Sequence, residues 1–209
     1  MKRFNKPAII LGTGPSLAAQ RDAIISLRLA DKVRLFGINN TTFDFPLDVW
    51  IACDPAWHDH YGQVSGDFDK WHWDKGICER YGYNHIEGRW ADGLSTDPGV
   101  IHYGHSSGYQ ALGLAVHYGC PAVYLCGFDM RYGDQRHYFE GLSGDAGEYP
   151  QPLRKFSAFD KPRVPKGHCR DYSLFQCYES VADQRGLPAI INTTRDSALT
   201  CFPFGDLPA

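Results

Sequence analysis

Pro7-Ala-Ile-Ile-Leu-Gly-Thr-Gly-Pro-Ser-Leu17 is the stretch that most constrains this chain. Ala8 to Leu11 has no polar alternation, as expected of a strand covered on both faces. The turn Gly12-Thr13-Gly14-Pro15-Ser16 follows, and then residues 17–29 carry an amphipathic helical pattern. Gly12 and Gly14 permit backbone angles and close approaches that a Cβ forbids, and Ser16 is expected to cap the helix. A helix N-terminus at the end of a parallel strand offers unpaired N–H groups and a positive dipole end, which suits phosphate. The turn differs from two better-known loops. A P-loop would need Gly-Lys-Ser/Thr, and the dinucleotide fingerprint would want a small residue where Leu17 stands. A tight turn without a ligand is the alternative reading.

The rest of the chain alternates strands and helices, which predicts an α/β fold with a mostly parallel sheet. Val33 to Ile38 reads as a second strand and ends in Asn39-Asn40-Thr41-Thr42. Asp48 to Cys53 reads as a third and ends in Asp54-Pro55. Ligands of open α/β sheets bind outside the carboxyl ends of strands. Asn39 and Asn40 are therefore candidates for a base or a sugar hydroxyl, with an Asn-built turn as the alternative. Trp57-His58-Asp59-His60-Tyr61 is weighed as a metal site and read as a solvated loop. Residues 62–98 are expected to hold short helices, loops and a peripheral strand around Ile77, with an acceptor-binding insertion left open.

Val100 to Tyr103 reads as a short strand, with Ser106-Ser107-Gly108 opening a small-residue helix over 109–118. Ala122 to Asp129 is a further buried strand with Asp129 at its carboxyl end. Residues 131–167 lose regular patterning but hold basic and aromatic side chains, which suits a lid over a phosphate. A helix over about 171–185, a strand over 188–192 ending in Asn-Thr-Thr, and a short final helix complete the reading.

Bulk properties narrow the classes. A chain of 209 residues is expected to form a single domain, residues 1–209, with the lid inside it. A net charge of -3 gives no nucleic-acid signature. Seven cysteines without a CxxC pair fit reduced thiols in a cytoplasmic protein. No run approaches the roughly 20 apolar residues of a membrane span, and the basic N-terminus is not a signal peptide. Oligomeric state stays open, homo-oligomers included.

The motifs in order resemble the bacterial lipooligosaccharide sialyltransferases. The resemblance rests on Ile-Leu-Gly-Thr-Gly-Pro-Ser-Leu17, Ser106-Ser107-Gly108, Tyr124-Leu-Cys-Gly-Phe-Asp129, the long lid and Gly167-His168. The same features occur in a wider superfamily that includes 6-hydroxymethylpterin diphosphokinase-like proteins. The resemblance implies a Rossmann-like, GT-A-type variant domain and a nucleotide-sugar-dependent glycosyltransferase that is metal-independent and needs no cofactor. Its donor would be CMP-linked and its acceptor a hydroxyl compound. It implies that Gly12, Thr13, Gly14, Ser16, Asn39, Asp54, Ser106, Ser107, Gly127 and Asp129 bind the nucleotide. Tyr132 and Tyr138 would hold the leaving phosphate, and His168 would be the general base.

The chain departs from the family at three places. Thr13 and Asp54 replace Asn, and Gly104-His105 stands where the family has Arg. The change at Asp54 favours a second reading, a Mg²⁺-dependent ATP diphosphokinase using Asp54 or Asp129. A non-catalytic nucleotide-binding protein is a third.

Overall fold

The computed structural model describes residues 1–131, 137–141 and 162–209, without the side chains of 140 and 141. Of the expected lid over 131–167, residues 132–136 and 142–161 therefore lie outside the described residues, and Tyr132 with them.

Seven strands form one parallel sheet: β1 (Ala8–Leu11), β2 (Arg34–Ile38), β3 (Val49–Ile51), β4 (Asp69–His72), β5 (Asn84–His85), β8 (Ala122–Cys126) and β9 (Ala189–Asn192). Their order is β5-β4-β3-β2-β1-β8-β9. The chain walks outward from β1 to β5, then returns to add β8 and β9 on β1's other side. The switch point of the topology lies between β1 and β8, where Leu11 pairs with both Gly37 and Cys126. Strands β6 (Glu87–Arg89) and β7 (Val100–His102) form a separate two-stranded parallel sheet. The α/β fold with a mostly parallel sheet flanked by helices is thus as the sequence predicts.

Period-two alternation sends neighbouring side chains to opposite faces. Ile9, Leu11, Leu35 and Trp50 enter one core with Leu17 and Ile24 of α1 (Leu17–Leu29). Trp57 of α2 (Pro55–Tyr61) and Tyr81 of α3 (Lys75–Tyr81) join them. Ala8, Ile10, Phe36 and Ile51 enter the other core with α4 (Ser107–His117) and α5 (Leu174–Ala182). Because α4 also packs on β7, it is buried almost all round, and its glycines let neighbours approach. A Cβ on Gly113 would lie 3.3 Å from Ile101 Cγ1, and one on Gly108 would lie 3.1 Å from the Phe128 ring. A helix apolar on every side belongs between two layers.

Several expectations fail, each for a physical reason. Ile77 is in α3, not a strand: Asp74 caps that helix by accepting from Ile77 N at 3.0 Å, and Gly82 ends it at φ 70°. Residues 57–61 form a helix rather than a loop, started by Asp54 and Pro55. The expected final helix is absent. After β9 the chain instead returns so that Phe204 bridges Asn192. Ser16 makes no side-chain cap to α1, because its hydroxyl is used elsewhere. β7 lies outside the main sheet, paired with the unforeseen β6.

All seven cysteines are free thiols, four of them buried, as expected. No helix among the described residues is long and apolar enough to cross a membrane.

Candidate functional site

The carboxyl edge of the sheet gathers two clusters. The first joins the glycine turn after β1 to the turn after β8. Gly12 N donates to Cys126 O at 2.7 Å and Gly14 N to Gly127 O at 2.9 Å. A Cβ on Gly12 would lie 2.4 Å from Gly127 O, so only glycine lets the two backbones cross. Gly127 itself holds φ 71°.

Asp129 then reaches the start of α1. Its carboxylate accepts from Ser16 Oγ at 2.7 Å and from Ser16 N at 3.3 Å. A Cβ on Gly14 would sit 1.9 Å from Asp129 Oδ2. The helix N-terminus that suits a phosphate thus already holds a carboxylate of the chain. Thr194, just past β9, completes this cluster: its hydroxyl lies 3.3 Å from Ser16 Oγ and accepts from Phe128 N at 3.3 Å.

The second cluster joins the ends of β2 and β3 to the start of α4. Ser107 is 5% exposed, and its Oγ accepts from Cys53 N at 3.0 Å and donates toward Asn39 Oδ1 at 3.3 Å. Asn39 holds φ 46°, a conformation uncommon outside glycine. Its carbonyl accepts from Trp50 Nε1 at 2.9 Å. Asn40 is buried and structural: its Oδ1 accepts from Trp57 Nε1 at 2.8 Å, and its Nδ2 donates to Tyr61 OH at 2.7 Å. Ser106 caps α4, accepting from Tyr109 N at 3.1 Å, and its Oγ lies 3.4 Å from Tyr178 OH. Asp54 is the N-cap of α2, accepting from Ala56 N at 3.1 Å.

Residues 137–141 dock on the glycine turn. Tyr138 N donates to Thr13 O at 3.0 Å, and His137 Nδ1 lies 3.1 Å from Thr13 Oγ1. The His137 ring stacks on Phe139, with centroids 4.8 Å apart and planes 7° apart. The Tyr138 side chain is buried in the core with Phe139, and burial, with Asp44 adding to it, raises the pKa of its hydroxyl.

His168 stands apart from these contacts. It is exposed, in the turn before α5, where its carbonyl accepts from Asp171 N at 2.8 Å. The histidine that touches the glycine turn among the described residues is His137. The sequence carried one signal for it, its place in the basic, aromatic lid. Thr194 was equally legible as a polar residue past the carboxyl end of a strand.

The His58-x-His60 pair does not assemble as a metal site. His58 is buried, with Nε2 3.0 Å from Ala52 O, while His60 is exposed. Among the described residues no group of three or more His, Cys, Asp or Glu side chains is placed to hold a metal ion.

No protein-family model matches the chain, and no curated protein matches it. Among solved structures, the chain is similar to the monofunctional alpha-2,3-sialyltransferase Cst-I from Campylobacter jejuni. The TM-score is 0.49 and the sequence identity 16%, covering 96% of this chain and 80% of that one.

Proposed function

We propose that this chain transfers a glycosyl group from a nucleotide sugar, CMP-linked, to a hydroxyl acceptor at the carboxyl edge of its sheet. The observation that supports this reading is the gathering of sequence-distant polar residues along the carboxyl edge of the sheet, on and beside the switch point. Gly12 to Ser16, Asn39, Ser107 and Asp129 all arrive on that one edge. Switch-point edges are where open α/β sheets bind nucleotides.

In this reading the Asn39–Ser107 pair and the start of α4 contact the nucleoside and its phosphate. Asp129 keeps the glycine turn closed and α1 in place. As the bond from the anomeric carbon to phosphate breaks, charge grows on the leaving phosphate, and N–H groups aimed at it lower the barrier. A base takes the acceptor's hydroxyl proton as its oxygen bonds the anomeric carbon. His168 is the base in this proposal, reached by the acceptor from solvent. Such a base contributes roughly 10²–10⁴-fold in rate.

The test is thermal denaturation with CMP, CDP, UDP, GDP and ATP, each with and without Mg²⁺. A ligand at 100 times its Kd adds about 2.7 kcal/mol. Stabilisation by CMP without Mg²⁺ is the expected result. Stabilisation only by ATP with Mg²⁺ overturns glycosyl transfer in favour of diphosphoryl transfer, and stabilisation by no nucleotide overturns both.

Activity on a CMP-linked sugar then separates the histidines. His168→Ala is expected to lower kcat by roughly 10²-fold or more with CMP binding intact. An equal loss in His137→Ala alone would move the base to the glycine turn.

A further inference from the structure

The two-stranded sheet has a carboxyl edge of its own. Arg89 pairs with His102, so the residues that follow emerge side by side: Trp90 from β6, and Tyr103, Gly104 and His105 from β7. Their rings form a continuous run. Trp73 lies 5.2 Å from Tyr103, Tyr103 lies 4.9 Å from Trp90, and Trp90 lies 4.6 Å from His105. His105 leads directly into Ser106, the N-cap of α4. The run therefore borders the second cluster of the candidate site.

The backbone is shaped around these rings. A Cβ on Gly88, in the middle of β6, would lie 2.3 Å from Tyr103 Cε1, so a strand position gives up its side chain to admit that ring. His105 holds φ 59°, and Gly104 before it φ 52°. A non-glycine residue in that region is strained, and such strain gathers at ligand sites.

Trp90 is 39% exposed, and the other four tryptophans are not among the chain's exposed large apolar residues. Arg89 Nε donates to Glu87 Oε1 at 2.8 Å, and period-two alternation turns this pair to the other face of β6, leaving the Gly88 face to the rings. A partly exposed indole beside a tyrosine hydroxyl and an imidazole fits a ring with one apolar face and a rim of hydroxyls.

We infer that Trp90, Tyr103 and His105 form a saccharide subsite in which a pyranose ring stacks its C–H face on Trp90. The electron-rich aromatic face attracts those hydrogens, and the Tyr103 hydroxyl and His105 imidazole are the polar groups of the run that meet the ring's hydroxyls. As the place of the acceptor sugar it rests on the glycosyl-transfer reading; as a saccharide site it stands without it.

The test is saturation-transfer NMR with the full chain and three probes: methyl β-galactoside, methyl β-glucoside and methyl N-acetyl-β-glucosaminide. Transfer to the ring protons of one face of at least one probe is expected. Trp90→Leu keeps apolar bulk but removes the aromatic face. It should weaken that binding about fivefold, the order of one aromatic-face contact, while Trp90→Phe retains most of it. Thermal midpoints of both variants verify folding.

Absence of transfer from all three glycosides overturns the subsite, as does a Trp90→Leu variant that binds like the wild type. The nucleotide panel is read separately. Glycoside binding without nucleotide stabilisation would keep the subsite and sink glycosyl transfer; CMP binding without glycoside binding would do the reverse.

Discussion

Ser16 Oγ donates to Asp129 Oδ2 at 2.7 Å, tying the first turn of α1 to the turn after β8, 113 residues further along the chain. A carboxylate at a helix N-terminus is worth about 0.3–1 kcal/mol, and up to about 2 where partly buried. Asp129→Ala should therefore destabilise by about 1–3 kcal/mol, because the Ser16 hydroxyl and N–H also lose their acceptor. It leaves an anion seat vacant. Inorganic phosphate should raise the thermal midpoint of Asp129→Ala more than that of the wild type. Equal shifts in both would show that this N-terminus does not attract anions.

Gly14 and Asp129 should be coupled. In the wild type a Cβ at Gly14 meets Asp129 Oδ2 at 1.9 Å and Gly127 O at 2.7 Å, so Gly14→Ala should cost about 2–4 kcal/mol. In an Asp129→Ala background the first clash is gone. The double variant should then be more stable than the sum of the two singles predicts, by about 0.5–2 kcal/mol in a double-mutant cycle measured by urea unfolding. Strict additivity would contradict the contact.

Ser107 and Ser106 should differ. Ser106→Ala removes a helix cap and should cost about 1 kcal/mol. Ser107→Ala leaves the Cys53 N–H without the hydroxyl it donates to at 3.0 Å, and removes the contact to Asn39 Oδ1. That costs about 1–3 kcal/mol. In the nucleotide panel, Ser107→Ala should also reduce the CMP-induced shift. An unchanged shift would remove the Asn39–Ser107 pair from the nucleotide contacts.

Stability should fall on mild acidification. His58 and His72 are buried with ring centroids 5.0 Å apart. Burial lowers the pKa of His72 to about 4, with the neighbouring His58 adding to it against Asp74, and burial lowers that of His58 as well. His72 Nδ1 accepts from Asp74 N at 2.8 Å, a bond that only an unprotonated nitrogen can make. A histidine whose folded pKa lies below its unfolded value of 6.5 binds more protons when unfolded. Stability is therefore full above pH about 6.5 and is lost as pH falls toward 4, by about 2–3 kcal/mol for His72. Urea midpoints across that range check this. His72→Asn should lower the midpoint at pH 7 and flatten its pH dependence.

Local pattern was enough for the elements that carry their own signal. Ala8–Leu11 is an unbroken apolar run and Leu17–Leu29 an amphipathic one, and both form where the pattern places them. Ser106 caps α4 because a short polar side chain before a helix has few better uses. Sequence order also puts most of the candidate residues at the carboxyl edge, since a parallel sheet puts every strand's carboxyl end on one side.

The tertiary fold decided the partners. Residues 57–61 and 75–81 lack a strong periodic signal, and their caps, Asp54 and Asp74, became visible only once the helices stood behind them. β6 is three residues long and exists because β7 lies beside it.

Ser16 fits a capping rule locally, yet Asp129 claims its hydroxyl from across the switch point. Gly12 and Gly14 fit a phosphate loop locally, yet the space their missing Cβ atoms leave is filled by Gly127 and Asp129. Periodicity and turn chemistry act over a few residues, so they suffice for the α/β alternation and for the edge where the polar residues gather. Which of those residues meet one another was decided by the crossover that inserts β8 beside β1, a contact that no local pattern encodes.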